Sequence, residues 1–217
     1  MKKITLSLIS LLFIFSMVSC QAQKQKRVTQ KIKVNDLSKF SQATFASGCF
    51  WCVEAVFESV KGVVEAESGY SGGVESNPTY EQVSAHGTKH AETVQVYYDS
   101  SIVSYSTLLK VYFASQNPTQ VNGQGPDNGE SYRSIIFYRT TNEKMQAEEY
   151  ISGLQKKYKE PIAAELLPFK KFWLGEDYHQ NYVNRNPNVG YVQIESIPRI
   201  RRFQKQYPEL IKPDHKF

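Results

Sequence analysis

Cysteine is scarce in this chain: three residues in 217, at positions 20, 49 and 52. So few cysteines exclude a scaffold stapled by several disulfides, and the fold must be held together by an apolar core. A hydrophobic content of 41% is sufficient for one sizeable core and places the chain among ordinary globular proteins. Beyond residue 33 there is no internal repeat, heptad or low-complexity block, which argues against solenoids and coiled coils. Lys and Arg number 26 against 21 Asp and Glu, and no basic stripe is interleaved with stacking aromatics, so no nucleic-acid partner is expected.

A long membrane-spanning run is also missing. Lys2 and Lys3 precede an apolar stretch from Ile4 to Val18, which is short for a span but of the right length for a secretory signal. The stretch ends in Met17-Val18-Ser19-Cys20, which resembles the lipobox of bacterial lipoproteins. That resemblance implies cleavage before Cys20 and lipidation of Cys20. The expected organisation is a signal peptide over 1–19, a lipidated cysteine and flexible basic tether over 20–41, and one folded domain over 42–217. The expected location is the bacterial cell envelope, lipid-anchored and periplasmic or associated with the outer membrane. With Cys20 given to lipid, Cys49 and Cys52 can act only as a pair.

Segments alternate in type along the chain, which predicts a layered α/β (α+β) domain. Ala43 to Ala46 is β-prone and ends at Ser47-Gly48, after which Val53, Val56, Phe57 and Val60 recur at helical spacing. Further strands are predicted at Val63 to Ser68, Ala91 to Tyr98, Ser134 to Tyr138 and Ile162 to Leu167, with a Gly-rich loop over 69–73. Helices are predicted around Leu108 to Phe113, from the capping box Thr140-x-x-Glu143, around Asp177 to Val183, and from Arg199 onward. A polar loop runs from Asn117 to Ser131.

This layout puts Cys49 at a strand-to-helix turn, where the helix dipole and unpaired N–H groups favour thiolate over thiol. Cys52 lies one helical turn further on and therefore beside it. Such a pair can form a disulfide, hold a metal, or divide a redox task between an attacking and a resolving thiol. Phe50 and Trp51 between them either wall the sulfur with apolar surface or anchor the core. Glu92 falls on the same strand face as Val94 and Val96, so it is either a buried carboxyl with a raised pKa, suited to general-acid work, or a solvent-facing strand end. Tyr80, Asp127 and Tyr132 sit on loops and gain weight only in combination. His86 and His90 are spaced i, i+4, but they follow the cysteines by far more than the roughly 12 to 15 residues of a zinc-finger pattern, so no metal is expected. His179 is read as structural.

Several separated motifs now converge. Gly48-Cys49-Phe50-Trp51 with Glu54, Gly69-Tyr70-x-Gly72-Gly73, Asn77-Pro78-Thr79-Tyr80, Gly87-x-x-His90-Ala91-Glu92, the stretch from Gln124 through Asp127 to Tyr132-Arg133-Ser134, and Asp177-Tyr178-His179-Gln180 together resemble peptide methionine sulfoxide reductase A. The resemblance covers about residues 42 to 195, in the family's order. It implies a two-layer sandwich with a mixed central sheet and flanking helices.

The resemblance also implies roles. Cys49 would attack the sulfoxide sulfur, Glu92 would supply a proton to the departing oxygen, Tyr80 and Tyr132 would hydrogen-bond that oxygen, and Asp127 would help hold the site. Phe50 and Trp51 would form the pocket for the S-methyl group. Cys52 would resolve the sulfenic acid to a disulfide, as in the GCFWC subgroup, and a thioredoxin-like dithiol would recycle it. The expected substrate is the S epimer of methionine sulfoxide, free or in oxidised proteins and peptides. The protein is expected to act as a monomer without any cofactor. Departures accompany this. Cysteine replaces the glycine common after GCFW, no cysteine follows in the tail, and Asn117 stands where many members carry aspartate. Two other classes fit the cysteines less completely: a general CxxC thiol–disulfide oxidoreductase, and a non-enzymatic lipoprotein binding module.

Overall fold

The structure, a computed structural model, describes residues 36–215 and residue 217. The signal peptide, Cys20 and most of the tether lie outside the described residues. The described chain runs β1 (Ser41–Ala46), α1 (Phe50–Glu58), β2 (Val63–Ser71), α2 (Tyr80–Ser84), β3 (Ala91–Tyr98), α3 (Tyr105–Ala114), β4 (Gly123–Gln124), β5 (Asp127–Asn128), β6 (Ile135–Tyr138), α4 (Thr141–Gln155), β7 (Glu165–Pro168), β8 (Trp173–Leu174), α5 (Tyr182–Arg185) and α6 (Ile197–Gln206).

Six strands form one sheet in the order β7-β6-β1-β3-β2-β8, and β4 pairs with β5 separately. All pairings in the large sheet are antiparallel except β6 with β7, so the sheet is mixed. The alternation of β3 decides which face meets the helices. Val94, Val96 and Tyr98 join Phe45, Ile136 and helix residues such as Val53, Phe57, Leu108 and Tyr112 in the main core. Burial of each such side chain contributes about 1.5–3 kcal/mol. The other face of β3 carries Gln95 and Tyr97, whose polar atoms bond to Arg139 and Glu67. The result is one helix layer on one face of the sheet, while the second face combines these polar groups with a small apolar cluster of Ala46, Ala91, Ile135 and Phe137, the two-layer arrangement expected from the motifs.

Boundaries differ from the sequence reading in several places: the helical turn expected around 177–183 becomes α5 only at Tyr182–Arg185, Asp127 opens β5 and Tyr132 ends a 3-10 turn rather than lying in a loop. Gly69, Tyr70 and Ser71 belong to β2 rather than to a loop, because β2 continues pairing with β3 as far as Ala91. Tyr80 is not in a loop: it opens α2, which Thr79 caps through a reciprocal bond with Gln82. The strand expected at 162–167 is β7, shifted toward Pro168 by its parallel register with β6. The last helix begins at Ile197, directly after a π-helical turn over Val192–Ser196.

Candidate active site

Cys49 is the N-cap of α1, and the turn that delivers it depends on Gly48. The backbone there has φ +76°, and any side chain would collide with Gln124. Cys49 makes no side-chain capping bond. The first amide of the helix, Phe50 N–H, instead donates to Glu92 Oε2 at 2.9 Å. Glu92 reaches this point because Tyr70 and Glu92 are register partners at the inner end of the β2–β3 pair. It is 2% exposed, so it is no solvent-facing strand end. Burial pushes its pKa up to about 8, against the lowering effect of the Phe50 hydrogen bond and helped by repulsion from Asp127. Near neutrality the carboxyl is therefore protonated and holds a transferable proton.

A cavity of about 190 Å³ is lined by Cys49, Phe50, Trp51, Tyr80, Glu92, Asp127 and Tyr132, together with Tyr191. Seven residues singled out from separate stretches of sequence thus share one wall. Their placement is over-determined. Glu176 accepts from Tyr80 N–H at 2.9 Å and from the Tyr70 hydroxyl at 2.6 Å, which fixes the start of α2. Trp51 Nε1–H donates to His179 Nδ1 at 3.0 Å, and its ring stacks on Tyr182 at 3.8 Å. His179 also packs against Phe50 and Tyr80, so its structural reading acquires content: it orients the aromatic wall. The Tyr80 hydroxyl is pushed up to about 12 by burial, and that of Tyr132 is raised further by the same cause and by Glu92. Both remain hydrogen-bond donors at any working pH.

Cys52 does not line this cavity. It forms a hydrogen bond with Cys49, and its sulfur lies 3.1 Å from Ser196 Oγ. At Cys49 the favourable effect of the helix terminus is opposed by burial. Burial raises the Cys49 thiol well above its ordinary value, and the neighbouring sulfur raises it further. The two thiols titrate as a coupled pair, and Cys52 is lowered by the Cys49 hydrogen bond, the Arg199 guanidinium and Ser196.

Tyr191 was not legible in the sequence, being one of 14 tyrosines with no motif of its own. Its hydroxyl donates to Asp127 Oδ2 at 2.6 Å and reaches both cysteine sulfurs. Asp127 itself is half-buried, and burial raises its pKa. Asn117 is exposed and accepts from Thr119, away from the pocket. His86 bonds Ser131, and His90 is buried between Gly73 N–H and Glu75 O. Neither histidine joins the cysteines.

A profile described as peptide methionine sulfoxide reductase matches residues 41–211. The chain belongs to the peptide methionine sulfoxide reductase family. Among its relatives, the peptide methionine sulfoxide reductase MsrA 2 of Synechocystis is 45% identical over 174 residues, covering 79% of this chain and 81% of that protein. MsrA of Sulfolobus acidocaldarius is 44% identical over 167 residues, covering 77% and 95%. Two solved structures share the fold at 31% identity. Reduced Mxr1 from Saccharomyces cerevisiae superposes with a TM-score of 0.67 over 71% of this chain and 90% of that one. Methionine sulfoxide reductase A of Corynebacterium diphtheriae does so with a TM-score of 0.62 over 68% and 76%. A methionine sulfoxide reductase fold thus carries the mixed sheet, the helix layer and the cysteine-bearing turn described above.

Proposed function

We propose that this methionine sulfoxide reductase works through Cys49 as nucleophile and Glu92 as acid, with Cys52 as resolving thiol. The enzyme reduces the S epimer of methionine sulfoxide to methionine by thiol chemistry. The observation that carries the assignment of roles is the burial of the Glu92 carboxyl in the same 190 Å³ cavity as Cys49, which raises its pKa.

Cys52 takes the proton of the Cys49 thiol, and Cys49 sulfur attacks the sulfoxide sulfur. Glu92 gives its proton to the sulfoxide oxygen, which the hydroxyls of Tyr80 and Tyr132 hold as charge develops on it. The protonated oxygen then passes to Cys49 sulfur as the sulfoxide sulfur–oxygen bond and the new bond between the two sulfurs break, so methionine leaves and Cys49 is left as sulfenic acid. The S-methyl group rests against Phe50 and Trp51, and Asp127 with Tyr191 holds the opposite wall. Cys52 then displaces water from the sulfenic acid to form the Cys49–Cys52 disulfide. A local resolving cysteine supports membership of the GCFWC subgroup, and a thioredoxin-like dithiol returns both sulfurs to thiols.

The protein repairs oxidised proteins and peptides as a monomer at the bacterial envelope. Support for the monomer is that one chain supplies every group in the cavity. Support for the envelope is the basic and apolar N-terminal stretch that ends at Cys20, taken as the site of a lipid anchor. Incubation of the purified protein with each sulfoxide epimer and dithiothreitol tests the reading. S-selective methionine formation is expected. Disulfide exchange without methionine would instead favour a general CxxC oxidoreductase.

A further inference from the structure

The two neighbouring sulfurs open onto different cavities. Beside the substrate pocket lies a larger one, of about 390 Å³, whose lining includes Cys52, Gln116, Gln120, Glu195, Arg199 and Arg202, while Cys49 is not among its lining residues. Asp127 and Tyr191 line both cavities, so their 2.6 Å hydrogen bond stands in the wall between them. Arg199 is buried in the wall of the larger cavity. Its guanidinium is held by the carbonyl oxygens of Ser115 and Ser47 and by Ser47 Oγ, at 2.6 to 3.1 Å. Those acceptors are neutral, so its positive charge acts on Cys52 and on Asp127, and Glu195 lines the same cavity. Arg202 is exposed on the same helix.

A thiolate that reduces a disulfide approaches in line with the sulfur–sulfur bond, on the side of the attacked sulfur away from its partner. A cavity lined by Cys52 and not by Cys49 offers that approach to Cys52. We propose that this cavity is the port through which the reducing thiolate reaches the Cys49–Cys52 disulfide, attacking at Cys52, with Arg199 and Arg202 as counter-charge. The inference rests on the disulfide cycle given above and names the occupant as a thiolate on a slim arm. Leaving-group acidity alone would favour attack at Cys49, but Cys49 faces the substrate pocket and is walled in by Phe50 and Trp51. Access decides the order.

The electrons balance in two displacements. The incoming thiolate bonds to Cys52 sulfur, the bond to Cys49 breaks, and its electron pair stays on Cys49. A second thiolate then bonds to the reductant's sulfur and expels Cys52 as a thiolate, which Arg199 and Ser196 stabilise. Two reductant thiolates become one disulfide, and the protein gains two electrons.

The test uses the full chain, oxidised by one turnover with methionine sulfoxide, and three probes of graded charge: cysteamine, 2-mercaptoethanol and 2-mercaptoethanesulfonate. Rates of disulfide loss are normalised to thiolate concentration. Arg202→Glu is expected to slow the monoanionic thiolate of 2-mercaptoethanol about threefold and the dianionic probe about tenfold at low salt, with little effect on the zwitterionic one. In the wild type, added salt is expected to slow the same probes in the same order. The same variant-to-wild-type rate ratio with all three probes, or a wild type indifferent to salt, would overturn the port. Failure of the wild type to release methionine in the first place would instead strike the disulfide cycle.

Discussion

The carboxyl of Glu92 and the amide of Phe50, 42 residues apart in sequence, meet at 2.9 Å across the start of α1. This contact ties the cysteine-bearing turn to the central strand of the sheet. It also fixes a protonated acid beside the nucleophile, because burial outweighs the hydrogen bond in setting the pKa of about 8.

A pH dependence follows, with a definite sign. The folded-state pKa lies above the ordinary carboxylate value of 4.5, so between about 4.5 and 8 the folded protein holds a proton that the unfolded chain has lost. The Glu92 contribution to stability therefore declines as pH rises through that window. Glu92→Gln is expected to flatten the decline, measured by thermal unfolding at pH 5, 7 and 9. In single turnovers the wild-type rate is expected to fall above about pH 8. The variant should be slower by on the order of 10²-fold or more and lack that alkaline limb.

Cys52→Ser separates the two halves of the cycle. Reduced variant is expected to release one methionine per protein and then to stall when thioredoxin is the donor. Undiminished thioredoxin-supported turnover would show that another route resolves Cys49.

The hydroxyls of Tyr80 and Tyr132 are the donors placed for the departing oxygen. Loss of either, as Tyr80→Phe or Tyr132→Phe, is expected to slow methionine formation on the order of 10²-fold with little change in melting temperature. The double variant should be slower than each single one, and a double variant equal to wild type would remove both from the step.

Trp51→Phe keeps an apolar wall but loses the 3.0 Å hydrogen bond to His179. One such bond is worth about 1 kcal/mol, so KM for a sulfoxide peptide is expected to rise about fivefold while kcat changes little. A fall confined to kcat would show that the indole N–H acts in the chemical step instead.

Much of this site could be read from residue order because its members announce themselves locally. The strand-to-helix turn at Cys49, the alternation that turns Glu92 inward and the capping of α2 are short-range patterns. What could not be read depends on long-range packing. Tyr191 meets Asp127 across 64 residues of sequence. The charge on the cysteine pair depends on Arg199 and Ser196, which come from the C-terminal end of the chain. For the same reason the helix-terminus argument counted the dipole at Cys49 and could not count the burial that opposes it. Gly69 and Tyr70 looked like loop residues by composition, and the pairing of β2 with β3 overrides that.

The most direct test of the division of labour between Cys49 and Cys52 is a single turnover without any reductant, followed by peptide mass mapping. Reduced protein mixed with the S epimer is expected to yield one methionine per chain and a Cys49–Cys52 disulfide, and the R epimer neither. Methionine formed without that disulfide, or formed equally from both epimers, would contradict the account.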